Sequence, residues 1–190
     1  MSLKIDLDMF KPAATEIFSS GLLLPSVASL MPQDKKLNSV IDIAKVKHNT
    51  IWVSNGDWSM HELLVALLSI TGVANVFIST YALSETPARI LSNLKREGMI
   101  NDLLVIIDNR VDTRTSNTSQ LLKSIATKTV LTDTHAKTTI IENDTWKIVV
   151  IGSANYTENV RWENGVILFD IEAVEFQKKW FMEALKNGVQ

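Results

Sequence analysis

The chain has 190 residues, 46% of them hydrophobic, which suffices for one well-buried domain and does not promise two. It contains no cysteine, so a disulfide framework and a thiolate metal site are both excluded, and a reducing, cytoplasmic setting suits it. A net charge of -2 argues against coating nucleic acid through a global positive field, although folding can still assemble a local basic groove.

Along the chain, residues 1–37 fit no regular scheme, because Pro12, Pro25 and Pro32 interrupt what would be short helices. They read as an N-terminal arm on a domain spanning 38–190. The apolar run 21–24 is broken at Pro25 and is far below spanning length, so no integral membrane association is expected. From about Asn49 onward, Val- and Ile-rich runs alternate with segments of helical period. That pattern predicts an α/β fold with a mixed, largely parallel sheet flanked by helices.

The first strand is expected at 50–54, followed by a turn at Asn55-Gly56-Asp57. Ser59 and Glu62 form a capping box that opens a helix through Ile70, and Gly72 ends it. A second strand at 75–80 leads to a helix capped by Ser84, with Pro87 tolerated in its first turn and Gly98 beyond its end. A third strand at 103–107 precedes a polar loop over 109–119, a short helix near 120–126 and a strand near 128–131. Strands at 137–141 and 147–151 flank Asn143-Asp144 as a hairpin, 165–169 is another strand, and 172–186 closes the chain as a helix.

The last third carries the chemistry. His135-Ala136-Lys137 on an extended strand would put an imidazole and an ammonium on one face, about 6.5 to 7 Å apart. Gly152-Ser153-Ala154-Asn155 adds a flexible backbone, a hydroxyl and an amide, small donors suited to a phosphoryl oxygen, and Glu163 follows. Phosphodiester chemistry is the function these groups suggest.

These residues resemble the signature of the phospholipase D superfamily: His-x-Lys, four intervening residues, an acidic residue, a spacer, then Gly-Ser-x-Asn. Glu163, ahead of Gly165-Val166-Ile167-Leu168, is similar to the family's downstream glutamate. Glu142 stands where the family usually has Asp, with Asp144 as the alternative carboxylate, and the nine residues to Gly152 exceed the usual six by three. The resemblance implies a phospholipase D-like domain. Neither His48 nor His61 begins a second His-x-Lys, so these two read as structural or surface residues. One motif per chain resembles the small dimeric nuclease branch and implies a homodimer with two motifs across a shared site.

By that resemblance, His135 of one subunit attacks phosphorus to form a phosphohistidine, and His135 of the partner subunit protonates the departing oxygen. Histidine suits both roles because its ordinary pKa lies near neutrality. Glu163 would orient His135, while Lys137, Ser153 and Asn155 would hold the phosphoryl oxygens. No metal or cofactor is implied. In an α/β sheet, ligands gather at the carboxyl ends of parallel strands, which would bring Trp58, Tyr81, Arg110 and Arg114 to a substrate rim beside Gly152. Nucleic acid is the expected partner and phospholipid the other candidate. The leading expectation is a metal-independent nuclease. The alternatives are a phospholipase or phosphatidyltransferase of the same chemistry, and a non-catalytic binding or structural module.

Overall fold

Apolar side chains from the central strands fill a core on each face of one sheet. The structure, a computed structural model, describes residues 28–30, 37–110, 116–158 and 160–188. Its strands are β1 (Ala28–Leu30), β2 (Thr50–Asn55), β3 (Ala74–Thr80), β4 (Ile100–Asp108), β5 (Lys128–Thr132), β6 (Thr138–Glu142), β7 (Lys147–Gly152) and β8 (Trp162–Leu168). The helices are α1 (Asn38–Lys45), α2 (Met60–Thr71), α3 (Glu85–Arg96), α4 (Ser116–Ile125) and α5 (Ile171–Asn187). Arg114 and most of 1–37, with Pro12, Pro25 and Pro32, lie outside the described residues.

The strand order is β1-β2-β8-β7-β6-β3-β4-β5. Strands β1 to β5 and β7 run one way while β6 and β8 oppose them, so the sheet is mixed and largely parallel in direction. The two reversed strands sit between codirectional ones, which makes four of the seven neighbour contacts antiparallel. Strand β1 pairs in parallel with β2, so 28–30, within the stretch read as an arm, is hydrogen-bonded into the sheet.

Helices α1 to α4 cover one face and α5 the other. In β3, Val76 and Ile78 join the first core while Phe77 turns to the second, as the two-residue strand period requires. Phe77 meets Phe181 of α5 edge to face at 5.6 Å between ring centres. Asp170 opens α5 by accepting hydrogen bonds from the amides of Glu172 and Ala173 at 2.7 and 2.9 Å.

Several local signals were sufficient. The Ser59–Glu62 capping box opens α2, with the Ser59 amide 2.8 Å from Glu62 Oε2. Gly72 and Gly98 have φ of 70° and 73°, the left-handed region that favours glycine after a helix. Asn143 makes the β6–β7 turn by accepting from the amides of Thr145 and Trp146.

One expectation changes at the site itself. His135 and Lys137 lie not in a strand but in the irregular segment that enters β6. Side chains there take the backbone groups a ladder would use. Thr134 N donates to Asp108, Ala136 N donates to Thr134 Oγ1, and Ala136 O accepts from Ser79 Oγ. Helix α4 also starts at Ser116, inside the expected loop.

Candidate active site

The shared direction of the strands puts the carboxyl ends of β2, β3, β4, β5 and β7 at one edge of the sheet, together with the starts of β6 and β8. Five of the expected residues follow from that geometry. His135 and Lys137 enter β6, Gly152 ends β7, Ser153 follows it, and Glu163 begins β8. Neighbouring strands lie about 4.8 Å apart, so these groups converge although 28 positions separate the first from the last.

At the centre, Lys137 Nζ lies 3.3 Å from His135 Nδ1 and donates to His135 O at 2.9 Å. Gly152 N donates to Lys137 O at 3.2 Å and joins the end of β7 to the entry of β6. Ser153 Oγ donates to Glu163 Oε2 and accepts from Asn164 N at 3.0 Å. Partial burial lowers the Lys137 pKa below its ordinary 10.5, against the upward pull of the Glu163 charge. The His135 side chain is exposed to solvent.

Asn155 lies one step deeper. Thr80 Oγ1 donates to Ala82 O at 2.8 Å and sits 3.4 Å from Asn155 Oδ1. The same hydroxyl accepts from Tyr156 N at 3.2 Å. The end of β3 thereby holds the Gly-Ser-x-Asn segment, and the next residue, Tyr81, reaches His135. Its ring centre lies 5.1 Å from the His135 imidazole.

The expected rim comes together only in part. Tyr81 faces two cations, with the Arg110 guanidinium carbon 5.4 Å and Lys137 Nζ 5.8 Å from its ring centre. Arg110 itself is committed to carboxylates: Nε and Nη2 grip Asp108 at 2.7 and 2.8 Å, and Nη2 reaches Asp133 at 3.1 Å. Trp58 stands apart in the loop after β2, beyond β8 and β7 from His135. It packs on Trp52 at 4.8 Å and lines an open cavity of about 290 Å³ with His61, Glu62 and Glu158. A Cβ on Gly152 would meet Trp52, so packing already accounts for the glycine. Arg114 lies outside the described residues.

Glu142 is placed by its ion pairs. It is buried at the far end of β6 and accepts from Lys178 of α5, with Lys178 Nζ 3.0 Å from each oxygen; Lys147 lies at 3.6 Å. At about 3.3 Å per residue, it stands roughly 20 Å along the chain from His135. Asp144, in the turn beyond, is farther still. The other histidines are not in this cluster either. His48 precedes β2 at the opposite end of that strand, and His61 is buried against Ser59 Oγ, 2.9 Å from Nδ1, with burial lowering its pKa. Among the described residues, no three His, Asp or Glu side chains are grouped as a metal site would need.

Sequence reading missed Asp108. This carboxylate, at the end of β4, has no exposed side-chain surface and accepts from the Arg110 guanidinium, Arg110 N and Thr134 N. The signal in the sequence was a lone Asp closing the run Leu103 to Ile107, where one more apolar residue would serve packing alone.

No protein-family model matches the chain, and no curated protein does. Solved structures do. NucT from Helicobacter pylori is 21% identical with a TM-score of 0.58, the match covering 74% of this chain and 97% of that one. Polyphosphate kinase from Porphyromonas gingivalis is 15% identical with a TM-score of 0.61, over 88% of this chain and 30% of the kinase. TrmBL2, described as an archaeal chromatin protein with a novel mode of DNA binding, is 13% identical with a TM-score of 0.52, over 73% of this chain and 53% of that one. At these identities the likeness shows the fold, and the fold is phospholipase D-like.

Proposed function

We propose that the chain is a phosphodiesterase acting on nucleic acid, a metal-independent nuclease that works through a phosphohistidine in a homodimeric site. The observation that carries this reading is the His135–Lys137 contact at 3.3 Å, set beside the Ser153–Glu163 hydrogen bond at the same sheet edge. A nucleophile, a cation and a hydroxyl-bound carboxylate are what transfer of a phosphoryl group between oxygens requires. The same fold in TrmBL2 does not by itself demand chemistry; these side chains, not the architecture, support the reading.

In the first step an imidazole nitrogen of His135 attacks phosphorus, the P–N bond forms, and the P–O bond to the leaving group breaks. Lys137 and Asn155 neutralise the charge that builds on the other oxygens. The leaving oxygen needs a proton. His48 and His61 are remote or buried, which favours His135 of the partner subunit as its source. Water then attacks the phosphohistidine, returns a proton to that second imidazole and frees His135. Glu163 supports the site through Ser153 and through its field on Lys137.

The test is cleavage by wild type and His135→Ala of single-stranded DNA, duplex DNA, RNA and phosphatidylcholine, each with a chelator present. The expected result is nucleic-acid cleavage by wild type that falls at least about 10²-fold in the variant. Cleavage of phosphatidylcholine alone would turn the reading to the phospholipase. Activity that survives in His135→Ala, or that disappears with chelator, would overturn it.

A further inference from the structure

The segment that carries His135 is held from below by a buried carboxylate on another strand. Asp108 closes β4 with no exposed side-chain surface, and its two oxygens are fully used. Oδ1 accepts from Arg110 N at 2.9 Å and Arg110 Nε at 2.7 Å. Oδ2 accepts from Arg110 Nη2 at 2.8 Å and from Thr134 N at 3.0 Å. Thr134 is the residue before His135, and its hydroxyl accepts from Ala136 N at 3.2 Å, the residue after. One carboxylate therefore fixes the backbone immediately preceding the reactive imidazole. Through Arg110 it also fixes the cation on one side of Tyr81, whose ring lies against that imidazole.

Removing a carboxylate from water costs several kcal/mol unless it is paired and hydrogen-bonded. A position at the end of an apolar strand, where Leu or Val would pack at no such cost, therefore points to a role other than packing. Ahead of Lys137, whose carbonyl accepts from Gly152 N, the segment 134–136 lies outside the strands, and its conformation depends on such side-chain contacts.

We propose that Asp108 is a positioning residue for the site: through the Thr134 amide and the Arg110–Tyr81 stack it sets where the His135 imidazole points. This rests on the assignment of His135 as nucleophile, but the placement itself is testable without a substrate. A displacement of about 1 Å at a reacting group can cost 10²-fold in rate, so the orientation matters as much as the presence of the histidine.

Two measurements decide it. In the unaltered protein, the Thr134 amide should exchange with solvent deuterium as slowly as amides inside β6, although it lies in irregular chain. Exchange as fast as that of an exposed loop amide would overturn the proposal. In Asp108→Asn, which keeps the shape and removes the charge, the His135 ring resonances should shift and broaden while those of His48 and His61 stay in place. A folded variant whose His135 resonances match wild type would also overturn it; if the variant does not fold, the exchange measurement decides. On a nucleic acid that wild type cleaves, kcat of the folded variant should fall about 10- to 100-fold with KM within about twofold. If wild type cleaves nothing, the nuclease reading fails while the exchange and resonance results still decide the role of Asp108.

Discussion

Gly152 and Gly165 face one another across β7 and β8, and the indole of Trp52 fills the space a side chain on either would need. A Cβ on Gly152 would stand 2.9 Å from that ring and 2.7 Å from Asn164 O; one on Gly165 would stand 2.6 Å from the ring and also strike Ile151 O. The glycine of the Gly-Ser-x-Asn motif is therefore required by packing, whatever it offers a ligand. It also sets Ser153, whose amide donates to Asn164 O at 2.9 Å.

Gly152→Ala is expected to lose about 1–3 kcal/mol in urea unfolding, the usual cost of overpacking. Made in a Trp52→Leu background, the same substitution should cost less, because the shorter side chain leaves room on that side for the methyl. Equal stability of wild type and Gly152→Ala would leave substrate contact as the explanation of the glycine.

Glu142 makes a separate case. With Lys178 and Lys147 it ties β6 to α5 and the turn, roughly 20 Å along the chain from His135. Lys178→Met strands a buried carboxylate with one weaker partner and should cost about 2 kcal/mol. Glu142→Met with Lys178→Met should recover most of that, since no buried charge then remains without its main partner. In both variants activity per folded molecule should stay within twofold of wild type. A folded Glu142→Met/Lys178→Met protein without activity would mean that the carboxylate acts in the chemistry after all.

Local chemistry made much of this legible in the sequence. The Ser59–Glu62 box, Gly72 and Gly98 each act within one turn of chain, and they ended or opened helices where expected. His135, Lys137, Gly152, Ser153 and Glu163 were legible as one set from their order in the motif, and adjacent strands carry them to the same sheet edge. Asp108 was not, because it belongs to no motif with His135 and its contact with the Thr134 amide exists only after β4 and β5 pair. Arg110 looked like a free cation because the sequence does not show its guanidinium turning onto Asp108 and reaching Asp133. Among the described side chains of helix α1, Val40 and Ala44 are buried and Ile43 packs against the same core, a stretch of little more than one turn.

Asp108 should also shape stability in acid. The Arg110 guanidinium, bonded to it and outweighing burial, holds its pKa far below the ordinary 3.8. A carboxylate depressed in the folded state contributes fully above its unfolded value and loses that contribution as pH falls toward the folded one. The stability difference between wild type and Asp108→Asn should thus be constant from pH 7 to about 5 and shrink below about pH 4. Urea midpoints measured from pH 2.5 to 7 check it. A difference that stayed the same across that range would show that the ion pair does not form in solution.

Lys137 and Glu163 give the corresponding expectation in alkali. Burial pulls the ammonium below 10.5 and the Glu163 charge pulls it back, so Glu163→Gln should lower its titration midpoint further. The midpoint can be followed directly by NMR of the Lys137 side chain, independent of turnover. If Lys137 must be charged to hold the phosphoryl oxygens, the alkaline limb of kcat/KM should move to lower pH in the same variant and in the same direction. A midpoint that moved without the limb would leave Lys137 charged in the site but unnecessary for the rate. A midpoint that did not move would remove Glu163 from its surroundings.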